Sequence, residues 1–346
     1  MSASTAGSES TTSILRSAEA EGRSVLLEHE VYAILAEGGI AVPRHRLVAG
    51  PEEVDDDLAQ GLAAAEAVVK VASPDLLHKS DVGGVVPCRA EAGELKAAVT
   101  RVLDSAKAAA PSARLAGALV VERVRFETGL GRELLASIRH DPAFGPVVVL
   151  GVGGLDTEAL LGSLRPERAR AMLAGEGLTS EAADEALGGT LAYEGLTGAL
   201  RSSRGEGVPA DRLLELVLAL GRLAEKWVGF EPPDDLGLSE LEVNPLVATE
   251  DGRLVAIDGL ARLHRPEPLL PERPVGELRR LLEPGSAVVV GASAEGMNPG
   301  RIILKNLVAG GGIPADRVWA IHPKAKTIDG CRVFPSLADL PEPADM

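Results

Sequence analysis

Between residues 25 and 265 the chain alternates short runs of β-branched residues with longer Ala- and Leu-rich amphipathic stretches. Strand and helix patterns that follow one another in this way are typical of an α/β domain. The core must be aliphatic, because the chain is 45% hydrophobic but only 2% aromatic. That composition favours parallel strands covered by helices over an antiparallel sandwich. We therefore expect an α/β fold built mainly on parallel strands.

Within this region the pattern predicts individual elements. One helix is predicted over residues 25–40, ending at a Gly-Gly pair, and another over residues 91–110. The stretch from residue 155 to 227 is predicted to be mostly helical. Strands are predicted at residues 67–73, 84–90, 117–124, 132–141, 146–154, 238–249 and 254–263. The last two strands flank residues 250–252, which predict a hairpin-type turn.

A proline-rich segment, HRPEPLLPERP at residues 264–274, carries four prolines in eleven residues. Such a segment cannot continue a helix or a central strand, and it predicts an interdomain linker. We therefore expect one domain over residues 23–263 and a second over residues 275–346. Residues 1–22 start with a polar stretch that lacks the basic flank and apolar run of a secretion signal, and we predict a disordered tail there.

The second predicted domain contains one β-α-β unit. Its strands are predicted at residues 286–293 and 317–323, with a helix at residues 300–311 between them. One such unit and a final loop make too little sheet for a doubly wound domain. We therefore expect this domain to be cut short, with the chain either a fragment of a longer polypeptide or completed by strands from elsewhere.

Charge and cysteine content argue against several classes of protein. The formal net charge of -16 argues against nucleic-acid binding, because a phosphate backbone is bound by clustered Lys and Arg. No apolar run approaches the roughly 18 residues that a membrane helix needs, so no membrane span is expected. Cys88 and Cys331 match no metal-ligand spacing and no disulfide framework, which predicts a reducing cytoplasm as the location.

The strongest chemical signal is a pair of polar residues, Asn244 in LEVNPLV and Asp258 in VAIDG, each flanked by apolar residues of a predicted strand. Burying an ionised Asp costs several kcal/mol unless a cation or strong donors satisfy it. Oxygen ligands that leave room for phosphate and water suit Mg²⁺, which takes one or two protein ligands in nucleotide sites. The alternative is an Asx turn beside a buried, hydrogen-bonded Asp.

Lys70 is a lone cation in the apolar run AVVKVAS, and His78, Lys79 and the Gly83-Gly84 pair follow it. Adjacent glycines let backbone N–H groups approach phosphate oxygens without obstruction. These residues are therefore candidates for a phosphate site, with Lys70 reaching the phosphates of a nucleotide. The competing interpretations are a solvated strand lysine and an ordinary turn.

Two glutamates lie at predicted strand ends, Glu122 beside a possible adenine hinge and Glu133 at the start of the next strand. Each also fits an ordinary solvated position. The segment GVGG, residues 151–154, follows an apolar strand and precedes a predicted helix that contains Glu158. It is a second candidate for a backbone anion cradle, or else a tight strand-to-helix turn.

In the second domain, Gly291, Gly296 and Gly300 lie between an apolar strand and a helix. Their spacing differs from G-x-G-x-x-G, so a nicotinamide dinucleotide is not the indicated ligand. A glycine-rich turn ahead of a helix N-terminus nevertheless favours a pyrophosphate, and Lys324 could add charge there.

These segments together resemble the ADP-forming (NDP-forming) acyl-CoA synthetases, relatives of succinyl-CoA synthetase. The resemblance runs from about Leu26 to the end of the chain. It is carried by VVKVASPDLLHKSDVGGV, GRELLASIRHDPAFGPVVVLGVGG, LSELEVNPLV with VAIDG, and GASAEGMNPGRIILKNL, in the family's order. It implies an ATP-grasp fold of two α/β subdomains, followed by a partial Rossmann-like CoA-binding domain.

The same resemblance implies roles around a nucleotide. Lys70 would contact the phosphates, Glu122 would lie at the adenine hinge and Glu133 would belong to the nucleotide pocket. The loop of Gly83 and Gly84 would close over the phosphates.

The resemblance further implies that His78 takes part in phosphate transfer and that Asn244 and Asp258 hold Mg²⁺. The separation of these two residues is similar to that of the magnesium pair of succinyl-CoA synthetase. The glycines between Gly291 and Gly300 resemble the start of the family's CoA-binding domain.

Members of this family interconvert acyl-CoA, ADP and phosphate with a carboxylic acid, CoA and ATP, through an acyl phosphate and a phosphohistidine. The resemblance therefore implies ATP or ADP, Mg²⁺ and CoA as cofactors and a small carboxylic acid as substrate. This sequence departs from the family because it lacks the ligase domain that carries the main phosphohistidine. That domain would be supplied in cis or in trans, within a homo- or hetero-oligomer.

Two alternatives remain. A non-catalytic nucleotide- or acyl-CoA-sensing module, of the kind fused to protein acetyltransferases, is disfavoured by the intact pair of Asn244 and Asp258. An ATP-grasp ligase that joins a carboxylate to an amine is disfavoured by the glycine-rich β-α-β unit.

Overall fold

The computed structural model describes residues 10–126, 132–154, 164–200, 207–266 and 275–346. Its contacts divide the chain into two compact units, Met1–Glu267 and Pro268–Met346. The division falls within the predicted linker, most of which lies outside the described residues.

Helices and strands alternate along the first unit, as the sequence pattern predicts. Its described α-helices are α1 (Thr11–Ala20), α2 (Glu28–Glu37), α3 (Asp56–Gly61), α4 (Ala92–Ala109), α5 (Pro166–Ala169), α6 (Ser180–Leu187), α7 (Leu191–Leu196) and α8 (Ala210–Trp227). Its described strands are β1 (His45–Val48), β2 (Glu66–Ala72), β3 (Val85–Arg89), β4 (Gly117–Glu122), β5 (Glu133–Asp141), β6 (Gly145–Val152), β7 (Arg170–Ala174), β8 (Gly237–Ala248), β9 (Leu254–Ala256) and β10 (Leu260–His264).

These strands form two sheets, one in the order β1-β4-β2-β3 and the other in the order β10-β8-β5-β6-β7, with β9 also paired to β8. All of their pairings are antiparallel. The expectation of mainly parallel strands is therefore wrong for this unit. The reason is burial: β6 is buried along its whole length, and a strand buried on both faces loses the alternation that usually reveals an antiparallel sheet.

Helix α1 corrects the predicted disordered tail, which included residues 1–22. The Ser10 side chain accepts a hydrogen bond from the Ser13 backbone N–H and caps the helix. One face of α1 buries Ile14, Leu15 and Ala18 in the main core. Burial of each large aliphatic side chain stabilises the fold by roughly 1.5–3 kcal/mol, which outweighs the polar composition of the segment.

Helix α2 lies within the predicted helix of residues 25–40 and ends at the predicted Gly-Gly pair, but it begins at Glu28. The Glu30 carboxylate accepts a hydrogen bond from the Leu27 backbone N–H at 2.6 Å, and Gly38 follows the last turn. These contacts satisfy backbone groups that a helix end leaves unpaired. The helix is thereby fixed with its first turn, at Glu28, facing the interior.

In its described part, the stretch predicted to be mostly helical, residues 155–227, contains the helices α5, α6, α7 and α8 but also the strand β7. Residues 155–163 and 201–206 lie outside the described part. The single strand predicted over residues 254–263 is two strands, β9 and β10, separated at residues 257–259. The hairpin turn between β8 and β9 is confirmed.

In the second unit, the described elements are α9 (Val275–Leu282), β11 (Ala287–Val290), α10 (Pro299–Gly310), β12 (Val318–Ile321), β13 (Thr327–Ile328) and β14 (Cys331–Phe334). The sheet order is β11-β12-β14-β13, and β14 lies parallel to β12. The prediction of a single β-α-β unit is therefore wrong. The segment CRVF, at four residues, is too short to be recognised as a strand from its pattern.

The last residue of the chain also joins this sheet. The backbone N–H of Met346 donates to the Ser286 carbonyl, and its carbonyl accepts from the Val288 N–H at 2.9 Å. This backbone pairing lies on the edge of β11 opposite β12, so the sheet extends beyond the elements that the sequence predicts.

Among the described residues, no helix is long and apolar enough to cross a membrane. Cys88 and Cys331 are free thiols. Burial raises the pKa of both, and that of Cys88 reaches about 11, with the Glu94 carboxylate as a second cause.

Candidate functional site

The first unit contains a cleft of about 370 Å³ that elements of both sheets line. The end of β2 and the turn after it form one side, and β8 with the β9–β10 junction forms the other. Its polar lining residues are Glu28, Ser73, His78, Lys79, Glu242, Asn244, Asp258 and Arg262. The fold therefore brings together three of the predicted site residues, His78, Asn244 and Asp258.

Lys70 lies beside this cleft on β2, an inner strand between β4 and β3. Its side chain is only 11% exposed. Its Nζ donates to Glu28 Oε1 at 2.6 Å and to the Ile257 carbonyl at 2.8 Å. The interpretation as a solvated strand lysine is therefore wrong, since Lys70 is a nearly buried cation held beside the cleft.

Glu28 is a site residue that the sequence does not reveal. Its side chain is 3% exposed, and it accepts hydrogen bonds from Lys70, from Lys79 at 2.5 Å and from the Tyr32 hydroxyl at 2.6 Å. Burial alone would raise the pKa of Glu28, but the two ammonium groups outweigh burial and lower the pKa to about 2. In the sequence, Glu28 is an ordinary first-turn carboxylate of a helix, where the helix dipole favours negative charge.

Lys79 lies between two carboxylates. Its Nζ contacts Glu28 Oε2 and, at 3.3 Å, Asp258 Oδ1. Burial disfavours the charged ammonium, but the Glu28 and Asp258 carboxylates raise the pKa of Lys79 above its ordinary range. Lys79 is therefore a fixed cation at the edge of the cleft.

Asp258 is not the buried carboxylate that the sequence predicts. Its side chain is 44% exposed because it lies at the break between β9 and β10, where the backbone leaves the sheet. Asp258 Oδ1 accepts a hydrogen bond from the Gly259 backbone N–H at 2.9 Å. The carboxylate thus faces the cleft and has room for a further ligand.

Asn244 lies opposite Asp258. The register that pairs Leu246 with Ala256 also pairs Glu242 with Leu260, and the same register places Asn244 across from Asp258. Asn244 Oδ1 accepts a hydrogen bond from the Gly154 backbone N–H at 3.1 Å. Two oxygen-bearing side chains from adjoining strands therefore line one side of the cleft.

This pair suits Mg²⁺ by the chemistry of its donors. The described residues contain no group of three or more His, Cys, Asp and Glu that could hold a metal. A site with two oxygen ligands matches Mg²⁺, which takes its other ligands from water and phosphates. Burial raises the pKa of the neighbouring Glu242, and the Glu240 and Asp258 carboxylates add to this shift. The part of the shift that comes from these two carboxylates reflects the negative charge close to Glu242.

His78 is exposed and lines the cleft at the start of the turn after β2. Within the described part of the chain its imidazole has no hydrogen-bond partner, whereas a packing histidine would have one. The ring is accessible from the cleft and lies next to Lys79 in the chain.

Gly83 and Gly84 are placed differently from the prediction of a phosphate cradle. The Gly83 N–H donates to the Ser80 carbonyl at 3.1 Å, and the Gly84 N–H donates to the Lys79 carbonyl at 2.8 Å. Both donors are thus used inside the turn, where Gly83 has a φ of 64°. The pair shapes the loop that carries Lys79, and neither glycine lines the cleft.

The two predicted nucleotide-pocket glutamates lie apart from the lining residues. Glu122 accepts a hydrogen bond from the Arg44 backbone N–H at 2.9 Å and lines a separate groove. Glu133 adjoins Gly154, where an added Cβ would lie 2.9 Å from Glu133 Oε2. Glu133 is therefore linked to Asn244 through Gly154, and Glu158 lies outside the described residues.

In the second unit, the predicted glycine-rich turn connects β11 to α10. Gly291 has a φ of 87°, and an added Cβ at Gly300 would lie 2.7 Å from the Gly291 carbonyl oxygen. Only glycine allows the helix to start this close to the strand. Asn298, which sequence reasoning missed, caps α10 by accepting from the N–H groups of Ser293 and Arg301.

The other two predicted residues of this unit lie on two different loops, Gly296 between β11 and α10 and Lys324 after β12. Gly296 donates its N–H to Ser293 Oγ at 3.1 Å, and nothing would obstruct an added Cβ there. Lys324 is exposed after β12, with its backbone N–H bonded to His322 Nδ1 at 3.2 Å.

Two family models match this chain. An ATP-grasp domain matches residues 17–263, and a CoA binding domain matches residues 285–346. The matches follow the order of the two units.

Curated relatives are acid–CoA ligases. The acetate–CoA ligase [ADP-forming] I subunit beta of Pyrococcus furiosus is 32% identical over 247 residues, which cover 71% of this chain and 94% of the subunit. The acetate–CoA ligase [ADP-forming] II of Archaeoglobus fulgidus is 28% identical over 332 residues, which cover 93% of this chain and 42% of the relative. This chain therefore spans nearly all of a separate β subunit but less than half of a single-chain ligase.

A solved structure agrees with these relatives. The dinucleotide-forming acetyl-coenzyme A synthetase 1 of Ca. Korarchaeum cryptofilum, in complex with coenzyme A, Ca-AMPCP and HgCl⁺, is 28% identical and superposes with a TM-score of 0.60. The match covers 74% of this chain and 100% of that chain. The chain therefore belongs to the ADP-forming acyl-CoA synthetases of the ATP-grasp family, with a CoA-binding domain after its ATP-grasp domain.

Proposed function

We propose that this chain supplies the nucleotide site of an acid–CoA ligase that interconverts acyl-CoA, ADP and phosphate with a carboxylic acid, CoA and ATP. One observation carries the proposal: Lys79, Asn244 and Asp258 line one cleft, and Lys70 lies beside it, bonded to the lining residue Glu28. Salt bridges to Glu28 hold the Lys70 and Lys79 ammonium groups in place. Asn244 and Asp258 line the opposite side of the cleft. This arrangement fits a polyphosphate with its magnesium ion.

In this proposal Lys70 and Lys79 bind phosphate oxygens, and Asn244 and Asp258 hold Mg²⁺. The metal, when bound, neutralises charge on the phosphates during phosphoryl transfer. The protein's own contribution is to fix both ammonium groups through one buried carboxylate, Glu28, so that they need not be reorganised during the reaction.

His78 is proposed as the phosphoryl acceptor on this side of the reaction. An unpartnered neutral imidazole is a competent nucleophile near neutral pH. In the forward direction of ATP synthesis, a phosphohistidine passes its phosphoryl group to ADP: the P–N bond breaks, a P–O bond forms and the imidazole is regenerated. A related structure of the Korarchaeum enzyme with Mg-AMPPCP has a phosphohistidine segment that points towards the nucleotide site.

Further residues that the sequence singles out have supporting roles in the proposal. Glu122 would border the adenine, and Glu133 would support Asn244 through Gly154. The loop of Gly83 and Gly84 would present Lys79 to the phosphates.

The second unit is proposed to take CoA at the turn between β11 and α10, next to Gly291 and Gly300. Lys324 would add positive charge there. The Korarchaeum enzyme binds coenzyme A, which supports CoA as the ligand class. Two free thiols support a reducing cytoplasm as the location, and a ligase domain in cis or in trans would complete the reaction.

A nucleotide- or acyl-CoA-sensing module is not favoured, because the matched relatives are ligases. The proposal is tested by calorimetric titration of the full chain with ADP in Mg²⁺, with NAD⁺ as the control ligand. We expect saturable binding of Mg²⁺·ADP and none of NAD⁺. Absence of ADP binding by the folded chain would contradict the proposal.

A further inference from the structure

Lys79 has two carboxylate partners, and the two contacts differ in strength. Its Nζ lies 2.5 Å from Glu28 Oε2 but 3.3 Å from Asp258 Oδ1. The Glu28 side chain is 3% exposed and the Asp258 side chain is 44% exposed. A short contact in a buried setting is held tightly, whereas a longer contact with a solvated carboxylate is screened and easily exchanged. Glu28 is therefore the permanent partner of Lys79, and Asp258 is the exchangeable one.

The cluster formed by Glu28, Asp258, Lys70 and Lys79 has no net charge. Glu28 and Asp258 carry two negative charges, and Lys70 and Lys79 carry two positive charges. A divalent cation that reached Asp258 on its own would lie beside the Lys79 ammonium, and like charges at this range repel. Lys79 cannot withdraw far, because Glu28 holds it. A metal ion without nucleotide therefore meets an Asp258 carboxylate whose charge the Lys79 ammonium already neutralises.

The phosphates of a nucleotide change this balance. Their oxygens can accept hydrogen bonds from an ammonium group and ligate a metal at the same time. The phosphates then compensate the charges of both the metal ion and the Lys79 ammonium, which would repel each other beside the Asp258 carboxylate alone. Metal binding and phosphate binding should therefore support each other through Lys79.

We propose that Lys79 makes metal binding at Asp258 conditional on nucleotide phosphates: it serves as the counter-ion of Asp258 and passes to the phosphates when a metal–nucleotide complex binds. Lys79 is thus a positioning residue that suppresses binding of the bare metal. The inference rests on the proposed nucleotide function and deepens it, because it assigns a binding order to the same site.

The test uses the full chain, Mn²⁺ as the metal probe and ADP as the nucleotide. Calorimetry gives the affinity for Mn²⁺ alone, for ADP alone in EDTA, and for Mn²⁺ with saturating ADP. In Lys79→Met the cluster has a net negative charge, so we expect bare Mn²⁺ to bind about tenfold more tightly than in the wild type. In the same variant, ADP without metal should bind more weakly than to the wild type. The increase in Mn²⁺ affinity that ADP causes should also be smaller.

Two controls isolate the effect of position from that of net charge. Lys96→Met makes the same charge change at an exposed position on α4, and it should keep the wild-type affinity for Mn²⁺. Lys79→Met combined with Asp258→Asn should lose the gain. If Lys79→Met does not fold by circular dichroism, Lys79→Gln serves instead, because its amide can still donate to Glu28.

An unchanged or weaker affinity of the folded Lys79 variant for bare Mn²⁺ would overturn the inference, as would an equal gain in Lys96→Met. The failure of the underlying function is recognised separately. If the wild-type chain binds no Mn²⁺·ADP, the nucleotide proposal itself is contradicted. If it binds Mn²⁺·ADP but Lys79→Met leaves bare-metal affinity unchanged, only the conditional role of Lys79 fails.

Discussion

A substitution of His78 separates the proposed phosphoryl transfer from the binding of nucleotide. Because its exposed imidazole contacts none of the described cations, His78→Ala should leave ADP affinity within about twofold of the wild type. ATP formation from acyl-CoA, ADP and phosphate should fall by more than about 1000-fold, since the loss of a nucleophile removes the covalent route. The assay requires a partner ligase domain added in trans.

Ser80→Ala is a suitable control for this variant, because Ser80 is exposed in the same turn and has no proposed role in transfer. It should retain ATP formation. Wild-type turnover in His78→Ala would rule out an essential relay. A collapse of ADP binding would instead place His78 in the support of the pocket.

Glu28 links the site to the stability of the fold. Its folded pKa of about 2 lies below the ordinary value of 4.5, so its stabilising contribution is complete above about pH 4.5 and is lost as the pH falls towards 2. Removing one partner of a buried ion pair typically costs about 3–5 kcal/mol, because the other charge stays buried. We expect Glu28→Gln to show this loss near neutral pH.

The measurement is urea unfolding of wild type and Glu28→Gln between pH 7 and pH 3. The difference in unfolding free energy should shrink as the pH falls below about 4.5. A difference that stays constant to pH 3 would show that the Glu28 charge is not what stabilises the cluster.

At the scale of elements, the turn after β2 depends on close packing at Gly84. An added Cβ there would lie 2.6 Å from Val71 Cγ1 and 2.8 Å from the Lys79 carbonyl oxygen. Overpacking of this kind typically costs about 1–3 kcal/mol, so Gly84→Ala should lower the free energy of unfolding by that amount. Because the turn carries Lys79, ADP affinity should fall as well.

Gly93→Ala is the matched control, since no atom lies within 4 Å of the added Cβ and the residue is in the first turn of α4. It should be neutral or stabilise the protein by up to about 1 kcal/mol. If Gly84→Ala and Gly93→Ala unfold at the same urea concentration, the packing explanation fails.

The positions of most strands in the first unit were predictable from sequence, with β1 and β7 as exceptions, whereas the strand directions were not. An apolar run such as the one that forms β6 shows only that the strand is buried. Strands covered on both faces are equally buried in parallel and antiparallel sheets, so the run does not give the strand direction. The hairpin of β8 and β9 was predictable because a turn signal separates two runs. The strand β7 and the helix α1 were missed because their stability comes from tertiary packing that a local pattern does not contain.

The site was predictable where polar residues interrupt apolar strands, as Lys70, Asn244 and Asp258 do. Glu28 was not, because nothing near it in the sequence shows that two lysines meet it in space. The exposure of Asp258 was also missed: the Asp258-Gly259 pair is a turn signal, but residues 254–263 were interpreted as one continuous strand. Long-range contacts of this kind depend on the whole fold.

At the scale of the whole molecule, the cleft exists only because the two sheets of the first unit meet. Lys70 on the four-stranded sheet donates to the carbonyl of Ile257, one residue before Asp258. The two lysines thus come from the first sheet and the turn after β2, and the two oxygen-bearing side chains proposed to hold the metal come from β8 and the β9–β10 junction. A magnesium nucleotide bound here would contact both, which makes the role of Asp258 the most direct test of the function.

That test is a calorimetric titration of wild type and Asp258→Asn with ADP, once in Mg²⁺ and once in EDTA, with Asp104→Asn at an exposed position on α4 as the control. Because the substitution removes the charged metal ligand, we expect Asp258→Asn to weaken Mg²⁺·ADP binding by at least about tenfold more than binding of metal-free ADP. Asp104→Asn should behave as the wild type. Equal losses of affinity in Mg²⁺ and in EDTA would contradict a metal role for Asp258 and leave it a structural residue of the β9–β10 junction.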